Sequence, residues 1–369
     1  MRIGIDASRV TTTERTGTEG YSYHLIKHLL SIDRQNEYTL YLRCPLPATL
    51  SPSLALARLR VMPFPRLWTH LRLSWEMALH PPDVLFVPAH VLPLVHPKGS
   101  VVTVHDLGYL YEPQAHRPAE WWYLNWSTRY NARAATLVIA DSQATKQDLV
   151  KAYHIPPEKI RVVYLGVDQD LGPVKNPAEI EGVKVRYGIH GDYFLSVGTL
   201  QPRKNLARLI EAFISLPVKD DVKLVLAGKP GWQSGEIMGK LAELCLLDRV
   251  ILTGYVPEEH LPALYSGAVA LVFPSLYEGF GLPALEAMAC GLPVIAAKSS
   301  SLPEVVGEAG LLVDPLDVRA WARAMAQVLD DPALRVALRQ RGLRRARMFS
   351  WERCAREALE VLEEAGMEP

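Results

Sequence analysis

The chain has 369 residues, of which 49% are apolar and 22% charged, which fits a globular protein and excludes a disordered one. This length exceeds one ordinary hydrophobic core and predicts about two domains. Lys plus Arg and Asp plus Glu both number 40, so the chain has no basic excess and we do not expect nucleic acid as a partner.

Cysteine spacing and the N-terminal sequence bear on cellular location. Four cysteines lie far apart and form no CxxC pair, which favours reduced thiols over a zinc site or a disulfide framework; they are Cys44, Cys245, Cys290 and Cys354. Residues 1–6 lack the features of a signal peptide, and no run of 18 apolar residues occurs. We therefore expect a cytoplasmic protein, with peripheral contact to the inner face of a membrane left open.

Short apolar runs recur through the first half of the chain. They predict strands at residues 3–6, 38–43, 59–62, 84–87, 101–105, 137–140 and 160–164. Helices are predicted at residues 21–30, 119–133 and 144–153, the last with Ser142 as its N-cap. Strands that alternate with helices in this way predict a parallel sheet covered on both faces.

Two glycines, Gly17 and Gly20, precede the first predicted helix. Glycine before a helix lets a ligand approach backbone N–H groups closely, although a plain loop would look the same. The chain contains neither G-x-G-x-x-G nor G-x-x-x-x-G-K-[ST]. A dehydrogenase-type dinucleotide site is therefore disfavoured, and a P-loop nucleotidase is excluded.

His105 and Asp106 stand at the carboxyl end of an apolar predicted strand, where parallel sheets bind ligands. A histidine there can donate a hydrogen bond to a sugar hydroxyl, or it can simply bond to neighbouring backbone. Asp106 could orient His105 or cap the next turn. The residues by themselves leave these alternatives open.

The stretch from Arg43 to Trp75 is basic and aromatic and contains no acidic residue. Such a stretch suits an anionic membrane surface or a phosphate-bearing acceptor, although aromatic side chains that pack inward are the favoured interpretation. Aromatic residues also recur at helical spacing further along the chain, where we predict core packing. These are Trp121, Trp122, Tyr123 and Trp126.

Residues 166–177 are rich in loop formers and follow a predicted strand, so we place the domain boundary there. Strands are then predicted at residues 193–197, 222–227, 250–253, 268–273 and 294–296. The helices between them predict a second doubly wound domain.

A turn from Gly198 to Asn205 joins the first of these strands to a helix and carries Arg203 and Lys204. Two cations at a helix N-terminus oppose the helix dipole, at a cost of roughly 0.3–1 kcal/mol each when exposed. A bound diphosphate would make the two cations favourable at this position, because both side chains pair with phosphate.

The segment 275–291 carries the most specific pattern in the chain. It follows a buried strand, breaks at two glycines, and opens a helix near Gly281 with Pro283 in the first turn. The positive end of a helix binds phosphate. Glu278 and Glu286, with seven residues between them, could accept hydrogen bonds from sugar hydroxyls. A phosphate site flanked by two acids indicates a nucleotide-sugar site.

The sequence EGFGLPALE, from Glu278 to Glu286, resembles the signature of the retaining glycosyltransferases of family 4. The resemblance implies an α/β protein of the GT-B fold, with two doubly wound Rossmann-like domains facing a cleft. It implies an N-terminal acceptor-binding domain at residues 1–167, with the C-terminal helix 350–369 packing back on it. It also implies a C-terminal nucleotide-sugar-binding domain at residues 168–349.

The resemblance also implies roles for individual residues. His105 would contact the donor sugar and stabilise developing charge. Arg203 and Lys204 would neutralise the diphosphate, and Glu278 would hold the sugar hydroxyls. Some members carry arginine where this chain has Thr199, so one diphosphate contact is missing or supplied elsewhere. The implied donor-binding residues are Gly20, Gly198, Thr199, Tyr255, Val256, Gly279, Phe280, Gly281, Leu282 and, for the ribose, Glu286.

The implied reaction transfers a hexosyl group, with mannosyl from GDP-mannose as the first expectation, to a hydroxyl of a sugar or lipid-linked acceptor. We expect retention at the anomeric carbon, no metal and no cofactor. UDP-glucose or UDP-GlcNAc as donor is one alternative. A nucleotide-sugar epimerase or a non-catalytic sugar-nucleotide binding protein of the same fold is another.

Overall fold

A computed structural model describes residues 1–11, 17–47, 50–54, 56–89, 91–113, 117–216, 222–231, 235, 239 and 248–367. Cys245 and the last two residues of the predicted C-terminal helix lie outside these ranges. The chain divides into two compact units. Unit 1 comprises Met1–Leu110, His116–Gly166 and Phe349–Pro369, and unit 2 comprises Tyr111–Ala115 and Val167–Met348.

In its described residues, unit 1 has a parallel sheet of seven strands in the order β3-β2-β1-β4-β5-β6-β7. The strands are β1 (Arg2–Asp6), β2 (Glu37–Leu42), β3 (Arg58–Val61), β4 (Val84–Val87), β5 (Gly99–Val104), β6 (Leu137–Ala140) and β7 (Ile160–Val162). The α-helices are Gly17–Ile32, Ser51–Leu54, Ser74–Leu79, Gly108–Tyr111, Pro118–Ala134, Gln143–Tyr153 and Trp351–Met367. A π-helix spans Trp68–Leu73, and a 3₁₀ turn spans Pro157–Lys159.

The C-terminal helix Trp351–Met367 belongs to unit 1, where it packs against the helix Gly17–Ile32 and strand β5. Ser350 begins it as an N-cap, since its hydroxyl oxygen accepts the Arg353 N–H at 3.2 Å. The buried Trp351 ring stacks on His24, with 5.1 Å between the ring centroids. The last element of the chain therefore completes the core of the first unit.

Unit 2 has, in its described residues, a second parallel sheet of six strands in the order β10-β9-β8-β11-β12-β13. The strands are β8 (Tyr193–Val197), β9 (Lys223–Ala227), β10 (Val250–Gly254), β11 (Ala270–Phe273), β12 (Val294–Ala297) and β13 (Leu311–Val313). The α-helices are Pro177–Arg186, Leu206–Ile214, Leu261–Gly267, Leu282–Ala289, Leu302–Val306, Val318–Asp330 and Pro332–Ala346, with 3₁₀ turns at Pro202–Lys204, Glu258–His260 and Gly307–Ala309. Two doubly wound α/β units confirm the predicted fold class.

Two local predictions were wrong. The helix Pro118–Ala134 buries Ser127, Asn131 and Ala132, whereas Trp122, Tyr123 and Trp126 are exposed. Trp122 is 67% exposed and Trp126 48% exposed, and neither belongs to the core. In the same unit, Gly17 and Gly20 do not precede a helix, because the helix Gly17–Ile32 already includes both. Residues 12–16 of the predicted glycine loop lie outside the described residues.

Candidate functional site

The turn after β8 positions two cations. Pro202–Lys204 forms a single 3₁₀ turn, and Asn205 then takes a left-handed conformation that begins the helix Leu206–Ile214. Asn205 is buried, and its amide group donates to the carbonyls of Pro274 and Pro315 at 3.2 and 2.7 Å. The amide thus fastens the cationic turn to the segment that follows β11.

Arg203 and Lys204 converge on Glu278, the first acid of the EGFGLPALE segment. Lys204 Nζ lies 2.6 Å from Glu278 Oε1, and Arg203 Nη1 lies 3.1 Å from Glu278 Oε2. Arg203 Nη1 also donates to the Tyr277 carbonyl at 2.6 Å. All three charged side chains are largely buried, with 10–19% exposure. The structure therefore joins residues that the sequence places 74 positions apart.

The two cations set the ionisation of Glu278. Burial by itself would raise the pKa of this carboxyl, but the charges of Lys204 and Arg203 outweigh it and lower the pKa of Glu278 to about 2. The carboxylate is therefore ionised throughout the physiological range. Glu278 is thus the anion that both cations contact.

Three serines that follow β12 hold the loop that carries Glu278. Ser300 Oγ accepts the Glu278 N–H at 2.8 Å, and Ser301 Oγ lies 2.9 Å from the carbonyls of both Glu278 and Phe280. Ser299 Oγ donates to the Ser275 carbonyl at 2.9 Å. Ser301 precedes the helix Leu302–Val306, but its side chain makes no cap bond to that helix and serves this loop instead.

The helix Leu282–Ala289 begins where the sequence predicts. Gly281 precedes it with φ of 102°, and a Cβ atom there would lie 2.6 Å from Leu302 Cδ2, so both conformation and space require glycine. Pro283 occupies the first turn, and Gly279 and Phe280 are buried in the loop before it. The positive end of this helix thus lies in the segment that holds Glu278.

Glu286 lies within the same helix, and its Oε2 accepts the Tyr265 hydroxyl at 2.8 Å. Burial raises the pKa of Glu286, and the Tyr265 hydrogen bond offsets part of that rise. The second acid of the signature therefore differs from the first, because its described polar partner is a neutral hydroxyl.

The remaining predicted donor residues of unit 2 lie at the carboxyl ends of β8 and β10. Gly198 has φ of 141°, and a Cβ atom there would lie 3.2 Å from Lys204 Cε, so glycine leaves room for the lysine. Thr199 follows it, close to Gly231. Lys229 Nζ lies 4.6 Å from the centroid of the Tyr255 ring, and Val256 beside it is buried.

His105 belongs to unit 1, and the structure gives both of its ring nitrogens a partner. Nδ1 lies 2.7 Å from Asp141 Oδ2, and Nε2 lies 2.8 Å from the Pro88 carbonyl. A carbonyl only accepts hydrogen bonds, so Nε2 carries a proton, and an imidazolium beside an ionised Asp141 satisfies both contacts. The Tyr21 ring, one residue after Gly20, meets the His105 ring edge-on with 4.8 Å between centroids.

These contacts raise the pKa of His105. Burial alone would lower it, but the charge of Asp141, its hydrogen bond and the Pro88 carbonyl outweigh that effect. Asp141 was missed in the sequence, where Asp106 was the candidate to orient the ring. Asp106 Oδ1 instead accepts the Gly108 N–H at 2.8 Å, so it caps the next turn.

Two findings concern membranes and metals. Within the described part of the chain, no helix has the length and apolar character to cross a membrane. Those same residues contain no group of three or more His, Cys, Asp or Glu side chains that could hold a metal ion.

Residues 15–171 match the family described as Glycosyltransferase Family 4, and residues 189–345 match Glycosyl transferases group 1. The O-antigen chain mannosyltransferase B of Escherichia coli is 35% identical over 264 residues, which cover 70% of this chain and 69% of that protein. The serotype-specific mannosyltransferase WbdA of the same species is 32% identical over 276 residues, 72% of this chain but only 33% of its own length.

Among solved structures, Anabaena HepE in complex with UDP and glucose superimposes with a TM-score of 0.76. The match covers 98% of this chain and 99% of HepE at 20% identity. The likeness therefore extends to both units and shows a shared fold.

Proposed function

The chain belongs to the family 4 glycosyltransferases and is a hexosyltransferase with the GT-B fold, and from that premise we propose that it moves a mannosyl group from GDP-mannose to an acceptor hydroxyl with retention at the anomeric carbon. The observation that carries this proposal is the convergence of Arg203 and Lys204 on Glu278. Two cations that meet beside the loop before a helix N-terminus suit a diphosphate leaving group.

Each group of the site has a part in this proposal. Arg203, Lys204 and the loop from Gly279 to Leu282 stabilise the departing diphosphate, and Glu278 holds sugar hydroxyls. Glu286 holds the ribose, while Gly198, Thr199, Tyr255 and Val256 line the donor site. In unit 1, His105 and Gly20 serve the sugar and the acceptor, and the imidazolium offsets negative charge.

The donor identity rests on the relatives. The two Escherichia coli relatives are named as mannosyltransferases, which favours mannose over glucose as the transferred sugar. HepE was solved with UDP and glucose, so UDP-glucose stays the second candidate donor. The basic pair can supply the electrostatic stabilisation that a metal supplies elsewhere, and we propose catalysis without metal.

Binding measurements test the donor site. Isothermal titration with GDP and UDP should give a Kd about 10–100-fold weaker for Lys204→Ala than for wild type, because a charge-assisted contact is lost. The matched control is Lys223→Ala, whose side chain bonds to the Asp248 carbonyl at the amino end of β9. Equal nucleotide affinity in Lys204→Ala and wild type would contradict the proposed site.

Turnover measurements test the chemistry. With GDP-mannose and an accepted sugar, NMR of the product should show the α-anomer, and EDTA should leave the rate unchanged. A β-linked product would rule out retention. A rate abolished by EDTA and restored by a divalent ion would rule out metal independence.

A further inference from the structure

Unit 1 contains a pocket of about 950 Å³ at the carboxyl ends of its first four strands. Ser8 and Arg9 follow β1, Arg43 and Cys44 follow β2, Phe64 follows β3 and Val91 follows β4. Parallel sheets bind ligands at this edge. The position therefore indicates a binding site.

The described lining of the pocket is basic. It includes Arg9, Arg43 and His70 and, among the described residues, no carboxylate. Arg9 pairs with Glu19 at 2.9 Å, but the bond found for Arg43 goes from Nη2 to the neutral Pro65 carbonyl. Within the described residues no acid offsets Arg43, whose guanidinium has further N–H donors to offer.

Two other arginines of the same basic stretch, unlike Arg43, have an acidic partner among the described residues. Arg60 and Arg72 both pair with the buried Glu76, at 2.7 and 3.3 Å. Their charges stabilise the packing of the segment that follows β3. Arg43 is therefore the residue of the stretch best placed to hold an anion inside the pocket.

One rim of the pocket is apolar and open to solvent. Leu67 and Tyr123 line the pocket and are 63% and 49% exposed. The ring of His70, also in the lining, lies 6.1 Å from that of Trp126. Leu71, Trp75, Trp122 and Trp126 are also exposed, and they lie on the helices Trp68–Leu73, Ser74–Leu79 and Pro118–Ala134 that border or include lining residues of the pocket. An exposed patch of this kind marks an interaction surface.

We propose that this pocket binds an amphipathic acceptor, a sugar joined to an apolar chain through a phosphate or diphosphate ester, with the phosphate at Arg43 and the chain on the apolar rim. The phosphate is assigned to Arg43 because an arginine without an acidic partner among the described residues matches a phosphate. The apolar chain is assigned to the rim because contact there removes the chain from water. The inference rests on the proposed function, in which unit 1 receives the acceptor.

Cys44 provides a reporter inside the pocket. Its thiol is exposed, whereas Cys290 and Cys354 are buried; Cys245→Ser in every variant removes the fourth thiol. Farnesyl diphosphate should slow alkylation of Cys44 by N-ethylmaleimide at concentrations where inorganic diphosphate and farnesol, the two halves of the probe, have no effect. Arg43→Gln should raise the half-protecting concentration about tenfold, the effect of one lost charged contact.

The control and the contrary outcomes are distinct. Arg66→Gln removes an exposed arginine that does not line the pocket and should leave protection unchanged. Equal protection by inorganic diphosphate or by farnesol would overturn the proposal, as would unchanged protection in Arg43→Gln. Nucleotide titration reports on unit 2 separately, so failure here and failure of the donor site can be told apart.

Discussion

Each unit contains a buried carboxylate that follows a strand of its sheet and lies beside cationic side chains. The two clusters differ in the number of cations that the carboxylate faces. In unit 2, Glu278 follows β11 and faces both Arg203 and Lys204. In unit 1, Asp141 follows β6 and faces His105. The first cluster joins two cations to one carboxylate, whereas the second pairs one imidazolium with one carboxylate.

The difference indicates what each cluster is suited to do. Arginine and lysine both pair with phosphate, so the two cations of the unit 2 cluster suit a ligand that carries phosphate. A pair of one cation and one anion has less to gain from an added anion, and its hydrogen bonds fix the orientation of a ring. Asp141 is thus a positioning residue for His105, while Arg203 and Lys204 are suited to bind a further anion.

Glu278→Gln should have the largest effect, because it leaves two largely buried cations without a counter-ion. Removal of one partner of a buried ion pair costs about 3–5 kcal/mol. We expect the free energy of unfolding, measured with urea, to fall by about that amount. GDP should then raise Tm more in the variant than in wild type, because the diphosphate replaces the lost charge.

Glu179→Gln is the matched control for this variant. Glu179 is exposed in the first turn of the helix Pro177–Arg186 of the same unit, so its replacement should lower stability by at most about 0.3–1 kcal/mol and leave the response to GDP unchanged. A GDP-induced shift in Glu278→Gln that is equal to or smaller than the wild-type shift would mean that the carboxylate and the diphosphate do not share these cations.

Asp141→Asn should have a smaller effect that depends on pH. Because the pKa of His105 is raised in the folded state, the pair contributes stability fully below the unfolded pKa, about 6.5. That stability is lost as pH rises through the raised folded pKa. We expect Asp141→Asn to lose about 1–3 kcal/mol below pH 6.5 and to show a flatter decline of stability above it.

Asp106→Asn separates this effect from a general loss of charge near the ring. The substituted amide oxygen would still accept the Gly108 N–H, so only a remote charge is removed. Urea unfolding from pH 5.5 to 9 should show a small change in Asp106→Asn and a clear one in Asp141→Asn. Parallel pH profiles for wild type and Asp141→Asn would show that the pair does not control the charge of His105.

Local sequence patterns predicted the elements because each depends on residues close in the chain. Apolar runs fixed most strands to within one or two residues, and Ser142 is the N-cap that was expected, since its hydroxyl oxygen accepts the Thr145 N–H at 3.1 Å. Strand β13, only three residues long, was missed. A run that short carries too little periodicity to stand out.

Contacts between neighbouring strands were not predictable from the same patterns. The register that pairs Val104 with Ala140 places His105 beside Asp141, and the pairing of Phe273 with Ala296 brings the serines after β12 to the loop of Glu278. Strand order decides both contacts, and one sequence does not reveal it. The sequence did contain one signal that could have identified Asp141 as a site residue, namely that it directly follows the predicted strand at residues 137–140.

Glu286→Gln should have the smallest effect and sharpens the contrast within unit 2, since Glu286 contacts a neutral Tyr265 hydroxyl instead of cations. A glutamine accepts that bond as well, so stability should change little. If Glu286 holds the ribose, the variant should lose affinity for GDP by about 1 kcal/mol, roughly fivefold, and should discriminate less against 2′-deoxy-GDP. Titration of both nucleotides into wild type, Glu286→Gln and Tyr265→Phe separates a hydroxyl contact from a shift of the helix. An unchanged ratio of the two affinities in Glu286→Gln would assign the ribose to another group, because only a lost hydroxyl contact alters that ratio.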